Sequence, residues 1–547
     1  MRSTMMDVQL TVSALMRHGV SAYGDREVVT ATADGARRQT FSETGAQAAR
    51  LANALRGLGI DADQRVGTLM WNNAEHLEAY LAVPSMGAVL HTLNLRLDAE
   101  QIGYIAAHAG DEVIIVDGCL VPLLAQVLPY ASGIRHVIVT RPEEVTDSSA
   151  LAEFTAQSAQ VHSYPDLLAA QPDTFSWPEL DERDAAAMCY TSGTTGRPKG
   201  VVYSHRSTYL HSMAIAAGNV FAISERDRVI PVVPMFHANA WGLPYAAVLA
   251  GADLILPDRF MQPEALLALI EAERPTLAGA VPTIFSGLLA HIRAHGGDLS
   301  SFRILTCGGS AVPHALQEAY EKELAVRMVQ AWGMTETSPV GTVAHPPAGL
   351  PDADAWRYRD TQGRLLCAVE GRLVGDSGAV LPHDGEAVGE VEVRGPWITG
   401  SYYKDPDPDK FRDGWLRTGD VGTIDRLSYV TLTDRAKDVI KSGGEWISSM
   451  ELENALMAHP DVAEAAVIGV ADEKWGERPL ATVVVRAGAT VTAPELRSFL
   501  ATKVPRWQLP ERWSFIPEVP KTSVGKFAKT RMREAYATGD YDVIEAL

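Results

Sequence analysis

The chain has 547 residues, of which 46 % are apolar and 21 % are charged. A chain of this length exceeds what a single hydrophobic core supports, so more than one domain is expected. The formal net charge of −20 argues against nucleic acid as a partner. Local donors must therefore hold any polyanionic ligand, because the protein as a whole has no positive field.

The cysteines and the N-terminal segment bear on the compartment. Cys119, Cys189, Cys307 and Cys367 have neither CxxC nor Cys/His spacing, so we expect no disulfide framework and no zinc site, and a reducing cytoplasm fits. The first ten residues, MRSTMMDVQL, lack the apolar core of a signal peptide. No window approaches the roughly 18 apolar residues that a membrane span needs. We therefore expect neither secretion nor a membrane span, and the oligomeric state stays open, with a homodimer as one option.

Short apolar runs followed by turn residues recur along most of the chain. They are VIIVDG (113–118), HVIVT (136–140), VIPVVP (229–234), ADLILPD (252–258) and FRILTCGGS (302–310). Amphipathic helical patterns lie between them, as in PEALLALIEAE (263–273) and PHALQEAYEKEL (313–324). Strands that alternate with helices predict an α/β fold with largely parallel sheets. Ligands bind at the carboxyl ends of strands in such sheets, so CGGS and GMTET, which follow two predicted strands, should line the site.

The pattern changes after about residue 400. GEVEVRGPWITGSYY and YVTLTDR predict short antiparallel strands. The basic, glycine-containing segment DRAKDVIKSGGEWIS (434–448) leads into a predicted helix at residues 448–456. AEAAVIGV, ATVVVRAG and PELRSFLATKV then give a β-α-β pattern large enough for a small separate domain. We place the boundary near Asp434, with an N-terminal domain at 1–433 and a C-terminal domain at 434–547.

The stretch YTSGTTGRPKG, residues 190–200, is predicted to be a loop because it has neither a helical nor a strand period. Its glycines let backbone N–H groups approach oxyanions, and its hydroxyls and lysine add donors, which is typical of a phosphate site. It is not a Walker A motif, since Gly196 is followed by Arg-Pro-Lys-Gly. Taken alone, the loop is a weak signal of function.

Five motifs in order give the loop its context. They are YTSGTTGRPKG, GMTET (333–337), GWLRTGD (414–420), DRAKDVIKSGGEWIS and PKTSVGK (520–526). Together they resemble the adenylate-forming superfamily of acyl-CoA synthetases, peptide-synthetase adenylation domains and firefly-type luciferases, over nearly the whole chain. The resemblance implies activation of a carboxylic acid by ATP to an acyl-adenylate, with release of pyrophosphate. It also implies a large α/β domain with a small β-barrel-like part, and a small mobile α+β C-terminal domain.

Further stretches look most like the bacterial medium- and long-chain fatty-acyl-CoA synthetases of this superfamily. They are MRSTMMD, AVPSMGAVLHTLNLRL (82–97), PMFHANAW (234–241), KSGGEWIS (441–448) and RWQLP (506–510). Such enzymes pass the acyl group from AMP to the thiol of coenzyme A. The implied partners are a carboxylic acid, ATP and coenzyme A, with Mg²⁺ as the metal.

The resemblance implies a nucleotide site residue by residue. The β- and γ-phosphates would be held by Thr191, Ser192, Gly193, Thr194, Thr195, Gly196 and Lys199. The adenine pocket would be formed by Gly308, Gly309, Ser310, Ala331, Trp332, Gly333 and Met334, with Thr335 donating to the α-phosphate. Trp332 would stack on the base. The family usually has Tyr at this position, and indole keeps the π surface but lacks the hydroxyl.

Two carboxylates complete that site. Glu336, with Thr191, would hold Mg²⁺, a hard ion that suits one protein carboxylate together with phosphate oxygens and waters. Asp420 would accept from both ribose hydroxyls, since a carboxylate is a natural bidentate acceptor. Arg435 would add a contact to the same ribose.

The acyl pocket is expected around PMFHANAW. His237 would position or gate the substrate, the alternative being a core histidine, and Gly333 would also contact the substrate. Trp241 matches an aromatic gate of the long-chain members, and a packed core role is an equal alternative. No Lys, Arg, Asp or Glu occurs from Val229 to Ala252, so an apolar tail is favoured over a charged one. The candidates for the lining are Val233, Ala238, Ala240, Trp241, Gly242, Leu243, Val281, Thr283 and Ile284.

The coenzyme A channel and a catalytic lysine are expected in the C-terminal part. The channel would be lined by Lys441, Gly443, Gly444, Glu445 and Trp446, where the glycines permit close passage of pantetheine. Lys526 would stabilise the charge that develops when the carboxylate attacks the α-phosphate. The predicted catalytic residues are therefore Lys526, Glu336, Thr191 and His237. Asp434, beside the helix-compatible AKDVIK, is the predicted hinge for a domain rotation between the two half-reactions.

Three alternatives remain at the level of the sequence. A CoA ligase for a small substituted acid, such as an aryl or methylthio-propionate acid, fits the same motifs, because pocket depth cannot be read from sequence. A catalytically silent acyl- or nucleotide-binding protein is disfavoured by the retention of Glu336 and Lys526. A peptide-synthetase adenylation module is unsupported, because no carrier domain follows residue 547.

Overall fold

The computed structural model describes residues 1, 3–147, 149–151, 154, 159–191, 197–375, 377–435, 437–442, 445–522 and 527–546, with the backbone alone for 445 and 446. The strands are β1 Glu27–Thr32, β2 Gly35–Thr40, β3 Arg65–Leu69, β4 Val89–Thr92, β5 Asp111–Asp117, β6 His136–Thr140, β7 Gln160–Ser163, β8 Ala185–Tyr190, β9 Gly200–Ser204, β10 Arg228–Pro231, β11 Asp253–Leu256, β12 Leu277–Ala280, β13 Ile304–Gly308, β14 Met328–Gly333, β15 Val340–Val343, β16 Gly363–Leu365, β17 Glu370–Val374, β18 Val380–Leu381, β19 Gly389–Arg394, β20 Phe411–Arg412, β21 Trp415–Ile424, β22 Tyr429–Arg435, β23 Ile440–Ser442, β24 Glu445–Ile447, β25 Val462–Asp472, β26 Gly476–Val485, β27 Arg512–Phe515 and β28 Ile544–Glu545.

The helices pack on the sheets that these strands form. They are α1 Val12–Ala22, α2 Phe41–Gly57, α3 Ala74–Ser85, α4 Ala99–Ala109, α5 Val121–Val127, α6 Tyr164–Ala169, α7 His205–Ala216, α8 Leu243–Ala250, α9 Pro263–Glu273, α10 Pro282–His295, α11 His314–Leu324, α12 Asp352–Arg359, α13 Ser449–Met457, α14 Ala493–Leu500 and α15 Lys529–Thr538. Across the parts of the chain that the structure describes, none of the helices has the length and apolar character of a membrane span.

The first sheet carries the strands on both sides of the predicted phosphate loop. Its strand order is β7-β6-β5-β3-β4-β8-β9, and all neighbours are parallel except β8 and β9. Strands β4 and β6 are buried at every position, which is typical of parallel strands covered on both faces. Since β8 ends at Tyr190 and β9 begins at Gly200, the loop connects two antiparallel neighbours.

The second sheet changes strand direction part-way across. Parallel neighbours run from β1 through β11, β10, β12 and β13 to β14. Antiparallel neighbours continue from β14 through β15, β16, β22, β21, β19 and β17 to β18. Strands β13 and β14 therefore belong to the same sheet as β21 and β22, with β15 and β16 between them, although these strands are distant in sequence.

Local sequence signals account for where several helices begin. Pro263 stands at the start of α9, where its missing N–H has no helical partner to lose. Thr40 and Glu43 form a capping box at the start of α2. The Ser448 side chain accepts from the Glu451 N–H and starts α13 one residue later than predicted. The helices predicted at 263–273 and 313–324 are confirmed as α9 and α11.

The third sheet lies between residues 440 and 545. Its order is β24-β23-β26-β27-β28, with β25 also paired to β26. Strands β25 and β26 form an antiparallel hairpin, and β26, α14 and β27 form a parallel crossover. Leu452, Val467 and Trp513 belong to a core of its own. The domain boundary near Asp434 stays a prediction, and β22 runs through this residue to Arg435.

The described residues 437–441 of the helix-compatible stretch AKDVIK do not form a helix. Lys437 and Asp438 lie in a turn, and β23 begins at Ile440. Ile440 pairs with Ile447 in β24 and is fully buried. Burial of this β-branched residue on a sheet outweighs the weak helical preference of its neighbours.

Candidate active site

A cavity of about 120 Å³ opens where the second sheet changes from parallel to antiparallel. Its wall is formed by Thr191, His237, Ala238, Trp241, Gly308, Gly309, Ala331, Trp332, Gly333, Met334, Thr335, Glu336, Pro339, Val340 and Arg435. The CGGS and GMTET motifs both contribute to this wall, because β13 ends at Gly308 and β14 ends at Gly333. The cavity thus gathers residues from three of the five motifs that the sequence singles out, namely YTSGTTGRPKG, GMTET and DRAKDVIKSGGEWIS.

Pro339 and Val340 are wall residues that the sequence analysis missed. They follow GMTETS directly, so their only signal is proximity to a motif. Gly333 explains how they reach the wall, since a Cβ on Gly333 would lie 1.9 Å from the Pro339 carbonyl oxygen. The close approach of these two backbones therefore requires glycine at this position.

Several predicted site residues are not part of this wall. Residues 192–196, Gly443, Gly444 and Lys526 lie outside the described residues, and Glu445 and Trp446 are described by their backbone in β24. Ser310 and Lys441 are exposed. Among the acyl-pocket candidates, Val233, Ala240 and Leu243 pack in the main hydrophobic core together with Trp241.

The carboxylate of Asp420 is held from two sides. The indole Nε1 of Trp332 donates to Oδ2 of Asp420 at 2.8 Å. The Nε atom of Arg435 lies 3.5 Å from Oδ1. Asp420 and Arg435 are direct partners across β21 and β22, so the sheet register places the guanidinium beside the carboxylate.

Glu336 is buried and has a tyrosine as its hydrogen-bond partner. The hydroxyl of Tyr402 donates to Oε1 of Glu336 at 2.6 Å. Burial raises the pKa of Tyr402 well above its ordinary value, and the charge of Glu336 raises it further, so Tyr402 stays a donor. The Glu336 carbonyl accepts from the Thr399 N–H at 2.9 Å. The segment around Tyr402 therefore lies against the carboxylate that would hold a metal.

Lys199 lies on the other side of the same tyrosine. Its Nζ is 4.8 Å from the centre of the Tyr402 ring, a cation–π distance. The ammonium also bonds to Asp407 at 2.6 Å and approaches Asp405 at 3.2 Å. Burial lowers the pKa of Lys199, but the bonds to both carboxylates outweigh burial and raise it above its ordinary value. Lys199 is therefore charged, and an incoming phosphate would compete with Asp407 for it.

Thr191 and Thr335 are fixed by backbone contacts. The Thr191 hydroxyl oxygen accepts from the Lys199 N–H at 3.1 Å, and the Thr191 N–H donates to the Lys199 carbonyl at 3.0 Å. The Thr335 carbonyl accepts from the buried Tyr203 hydroxyl at 2.7 Å. Thr191 and Lys199, at the two ends of the predicted phosphate loop, are thus joined by two hydrogen bonds.

Residues 238–241, none of which is glycine, adopt a left-handed backbone with φ between 43° and 58°. Left-handed geometry costs an L-residue roughly 1–2 kcal/mol, so buried contacts must hold this turn. The thiol of Cys189 donates to Oδ1 of Asn239 at 2.7 Å. Burial raises the pKa of Cys189 to about 11, which keeps the thiol protonated. Strained backbone of this kind is concentrated at functional sites.

The left-handed turn sets the position of Trp241. A Cβ on Gly279 would lie 3.6 Å from Cε3 of Trp241, and a Cβ on Gly308 would lie 3.6 Å from Cη2. The indole therefore lies across the carboxyl ends of β12 and β13, where it is both a core residue and part of the cavity wall. His237, immediately before the turn, also lines the cavity.

Asn72 and Tyr80 hold the backbone of residues 231–235, which precedes the left-handed turn, and the sequence analysis missed both. The Asn72 side-chain amide donates to the carbonyls of Pro231 and Val233, and its oxygen accepts from the Met235 N–H at 2.7 Å. The Tyr80 hydroxyl donates to the Met235 carbonyl. Because their partners are backbone atoms far away in sequence, no local pattern marks these residues.

Comparison with known proteins identifies the arrangement. A family model described as AMP-binding enzyme matches residues 16–403, and a second, described as AMP-binding enzyme C-terminal domain, matches residues 451–526. The chain belongs to the AMP-binding enzyme family. The resemblance of its motifs to adenylate-forming enzymes and the expected α/β fold are thereby confirmed.

Relatives of this AMP-binding enzyme extend over almost its full length. The 3-methylmercaptopropionyl-CoA ligase of Ruegeria lacuscaerulensis is 42 % identical over 540 residues, 98 % of this chain and 99 % of the relative. The medium-chain-fatty-acid–CoA ligase of Ectopseudomonas oleovorans is 41 % identical over 98 % of both chains. The long-chain-fatty-acid–CoA ligase of Thermus thermophilus is 42 % identical over 98 % of this chain and 97 % of the relative.

A solved structure agrees with these relatives. The crystal structure of an anthranilate CoA ligase in complex with anthranoyl-AMP has a TM-score of 0.87 and 25 % identity, over 99 % of this chain and 100 % of that one. This AMP-binding enzyme is an AMP-forming acyl-CoA ligase, an acid–thiol ligase with ATP as its nucleotide substrate. The names of the relatives span acids of different size, so the choice of acid rests on the pocket.

Proposed function

We propose that this AMP-binding enzyme is a fatty-acyl-CoA synthetase for medium- or long-chain acids. It adenylates the carboxylate with ATP, releases pyrophosphate, transfers the acyl group to the thiol of coenzyme A and releases AMP. The observation that carries the choice of acid is an apolar part of the cavity wall, made by Ala238, Trp241, Pro339 and Val340. A hydrocarbon tail gains roughly 0.8 kcal/mol per CH₂ on leaving water for such a surface.

Nucleotide binding in this proposal uses the polar part of the wall. Thr191, Lys199 and the loop residues 192–196 hold the β- and γ-phosphates. The base lies between the Gly308–Gly309 backbone and Trp332, which face the same cavity. Thr335 donates to the α-phosphate, and Asp420 with Arg435 binds the ribose.

Glu336 and Thr191 fit a magnesium ion. Both line the cavity, and the described residues contain no cluster of three His, Cys, Asp or Glu side chains that would suit a fully protein-held metal. Mg²⁺ takes one or two carboxylates and fills its other positions with phosphate oxygens and waters. When bound, it would supply positive charge to the phosphate oxygens. Tyr402 fixes the Glu336 carboxylate that would hold it.

Lys526 and His237 act on the reacting carboxylate. The ammonium of Lys526 offsets negative charge as the acid attacks the α-phosphate, and such stabilisation acts on the transition state more than on the ground state. His237, between the apolar wall and the nucleotide part, orients the carboxylate. Both roles use side chains of this protein and leave the acyl tail free to enter the apolar part.

Thioester formation requires a second arrangement of the two domains, 1–433 and 434–547, about a hinge at Asp434. The buried Asp434 carboxylate accepts from the Ser449 N–H at 2.7 Å and from the Arg435 N–H at 2.8 Å, contacts that a rotation would rearrange. Coenzyme A then enters along Lys441, Gly443, Gly444, Glu445 and Trp446. Asp434→Pro, which locks φ near −65°, should slow one half-reaction strongly and spare the other. Equal slowing of both would refute the hinge.

A second candidate function is a CoA ligase for a small substituted acid. One observation favours it: a relative at 42 % identity is named a 3-methylmercaptopropionyl-CoA ligase. In this alternative Trp241 stays in place and closes the pocket above β12 and β13. In the fatty-acid proposal the indole moves aside when a longer tail enters.

A chain-length series decides between the two. Acid-dependent exchange between pyrophosphate and ATP measures adenylation, and thioester formation with coenzyme A measures the second step. We expect kcat/KM to rise with each CH₂ up to a medium or long chain, by up to about fourfold per CH₂ at 0.8 kcal/mol. A maximum at three or four carbons, or with the methylthio acid, would establish the small-acid ligase instead. Trp241→Ala sharpens the result, since it should extend the accepted length only in the small-acid case.

Assembly and compartment complete the proposal. We propose that the enzyme is cytoplasmic, which the scattered cysteines fit, with a homodimer as the assembly to test. Sedimentation of the purified protein at several concentrations measures the assembly, and a monomer at micromolar concentration would refute the dimer. Fractionation of the source cells checks the compartment.

A further inference from the structure

The indole of Trp332 is a hydrogen-bond donor as well as a ring. Its N–H bonds to Asp420 in a buried place, with 8 % of Trp332 and 7 % of Asp420 exposed. Arg435 occupies the side of the other carboxylate oxygen. Water therefore competes little for the indole bond, which makes it a strong constraint on the orientation of the carboxylate.

Gly341 makes room for this indole. A Cβ on Gly341 would lie 2.7 Å from Cζ3 of Trp332 and 3.0 Å from Cε3. Such distances are shorter than carbon atoms tolerate, so any side chain here would push the ring. The indole is thus packed against the backbone of β15 with its N–H directed at β21.

We propose that Trp332 is a positioning residue for ribose recognition, acting through Asp420, and that Gly341 is its steric partner. The inference rests on the proposed function, in which Asp420 accepts from the ribose hydroxyls. A carboxylate offers about four lone-pair directions on its two oxygens. One indole bond and one guanidinium leave the remaining directions fixed towards the ribose, whereas a carboxylate without them rotates about a broad torsion.

The identity of the side chain at position 332 matters for this role because different aromatic rings carry their hydrogen-bond donor at different positions. The indole N–H leaves from the side of a fused ring system, whereas a phenol places its hydroxyl at the far end of the ring. Phenylalanine keeps a ring that can stack on the base but has no donor. Trp332→Phe therefore separates stacking from positioning.

The test compares ATP with 2′-deoxy-ATP as substrates for acid-dependent pyrophosphate exchange. Trp332→Phe should lower kcat/KM for ATP about tenfold, the loss expected for one bond to a charged group. The preference for ATP over 2′-deoxy-ATP should fall about fivefold in the same variant, mostly through KM. A merely structural role would lower both nucleotides equally and leave the preference unchanged.

A double-mutant cycle with Asp420→Ala tests the route of action. If Trp332 acts through Asp420, Trp332→Phe adds no further loss of ribose preference in the Asp420→Ala background. Fully multiplicative effects of the two substitutions would overturn the proposal. Gly341→Ala should reproduce the loss of preference, because the added methyl group displaces the indole while Trp332 itself is kept. Thermal unfolding shows which variants are folded.

The outcome distinguishes this inference from the proposed function. Absence of acid-dependent exchange in the unchanged protein would sink the proposed function itself. Normal exchange in the unchanged protein, with an unaltered nucleotide preference in folded Trp332→Phe, would sink only the role of Trp332. A reduced preference that vanishes in the Asp420→Ala background supports it.

Discussion

The proposed nucleotide and acyl parts of the site are held in different ways. On the nucleotide part, each carboxylate has a side-chain donor of its own: Tyr402 for Glu336 and Trp332 for Asp420. On the acyl part, the path of the backbone determines the shape of the wall. Residues 238–241 follow a left-handed path, and Asn72 holds the strand end before it through backbone atoms.

The difference follows from what each part has to bind. Charged phosphates and ribose hydroxyls are recognised by dipoles of fixed direction, so individual hydrogen bonds decide function there. An apolar tail is recognised by shape alone, so the path of the backbone decides function there. We therefore expect point changes in the nucleotide part to act on rates, and point changes in the acyl part to act on stability and on the choice of acid.

The largest effect should come from a single charge that serves the nucleotide part. Lys526→Ala should lower adenylation by about two to three orders of magnitude, the scale for one preorganised electrostatic group. Thioester formation from a supplied acyl-adenylate should remain nearly normal. Lys521→Ala is the matched control, because Lys521 stands in the same motif but bonds to Glu464 at 2.7 Å. Equal losses in both half-reactions would make Lys526 structural.

One substitution at two places probes the strained backbone of the acyl part. Ala240 and Ala246 are both fully buried, but Ala240 lies in the left-handed turn and Ala246 in the right-handed α8. Glycine relieves the first position and weakens the second, while the lost methyl group is the same. The free energies of unfolding of Ala240→Gly and Ala246→Gly should differ by about 2 kcal/mol, Ala240→Gly being the more stable. Equal midpoints in thermal unfolding would show that the turn stores no strain.

A buried hydroxyl should matter for rate only on the nucleotide part. Tyr402→Phe removes the donor to Glu336 and should lower adenylation about tenfold, since a bond to a buried carboxylate is lost. Tyr245→Phe removes a hydroxyl that donates to the Tyr80 carbonyl at 3.2 Å below the acyl part. The rate of adenylation should stay within about twofold of the unchanged protein in this second variant. Similar effects of the two variants on that rate would contradict the comparison.

The last prediction concerns no rate, only the dependence of stability on pH, and it lies in α3, the helix that also carries Tyr80. Burial, with the charge of Glu75, raises the pKa of Glu78 from 4.5 to about 8. Because the folded-state pKa is the higher one, the stabilising contribution of the protonated carboxyl is present below about pH 4.5 and is lost as the pH rises towards 8. Between pH 5 and 8 the free energy of unfolding of the unchanged protein should therefore fall relative to that of Glu78→Gln. If the melting temperatures of the two proteins changed equally with pH over this range, the expectation would be contradicted.

Local patterns were sufficient for much of the fold. The apolar runs around residues 113–118 and 136–140 form β5 and β6, and the amphipathic pattern at 263–273 forms α9. These predictions succeed because periodicity reports which face of an element is buried, and burial decides the element. The motifs also located Gly308, Thr335 and Glu336 on one cavity wall, since residues after parallel strands meet at one edge of a sheet.

The partners of those residues were decided only by the tertiary structure. Tyr402 meets Glu336 from 66 positions away, and Trp332 meets Asp420 from 88 positions away. The turn at 238–241 contains no glycine that would mark it in the sequence, and Ile440 and Lys441 of AKDVIK join a sheet because β23 pairs with β26 at Ser442 and Gly476. In each case the deciding energy is a contact between segments distant in the chain. Such contacts give no signal in a local sequence pattern. Around the cavity they form because the second sheet switches from parallel to antiparallel and brings the distant segments together.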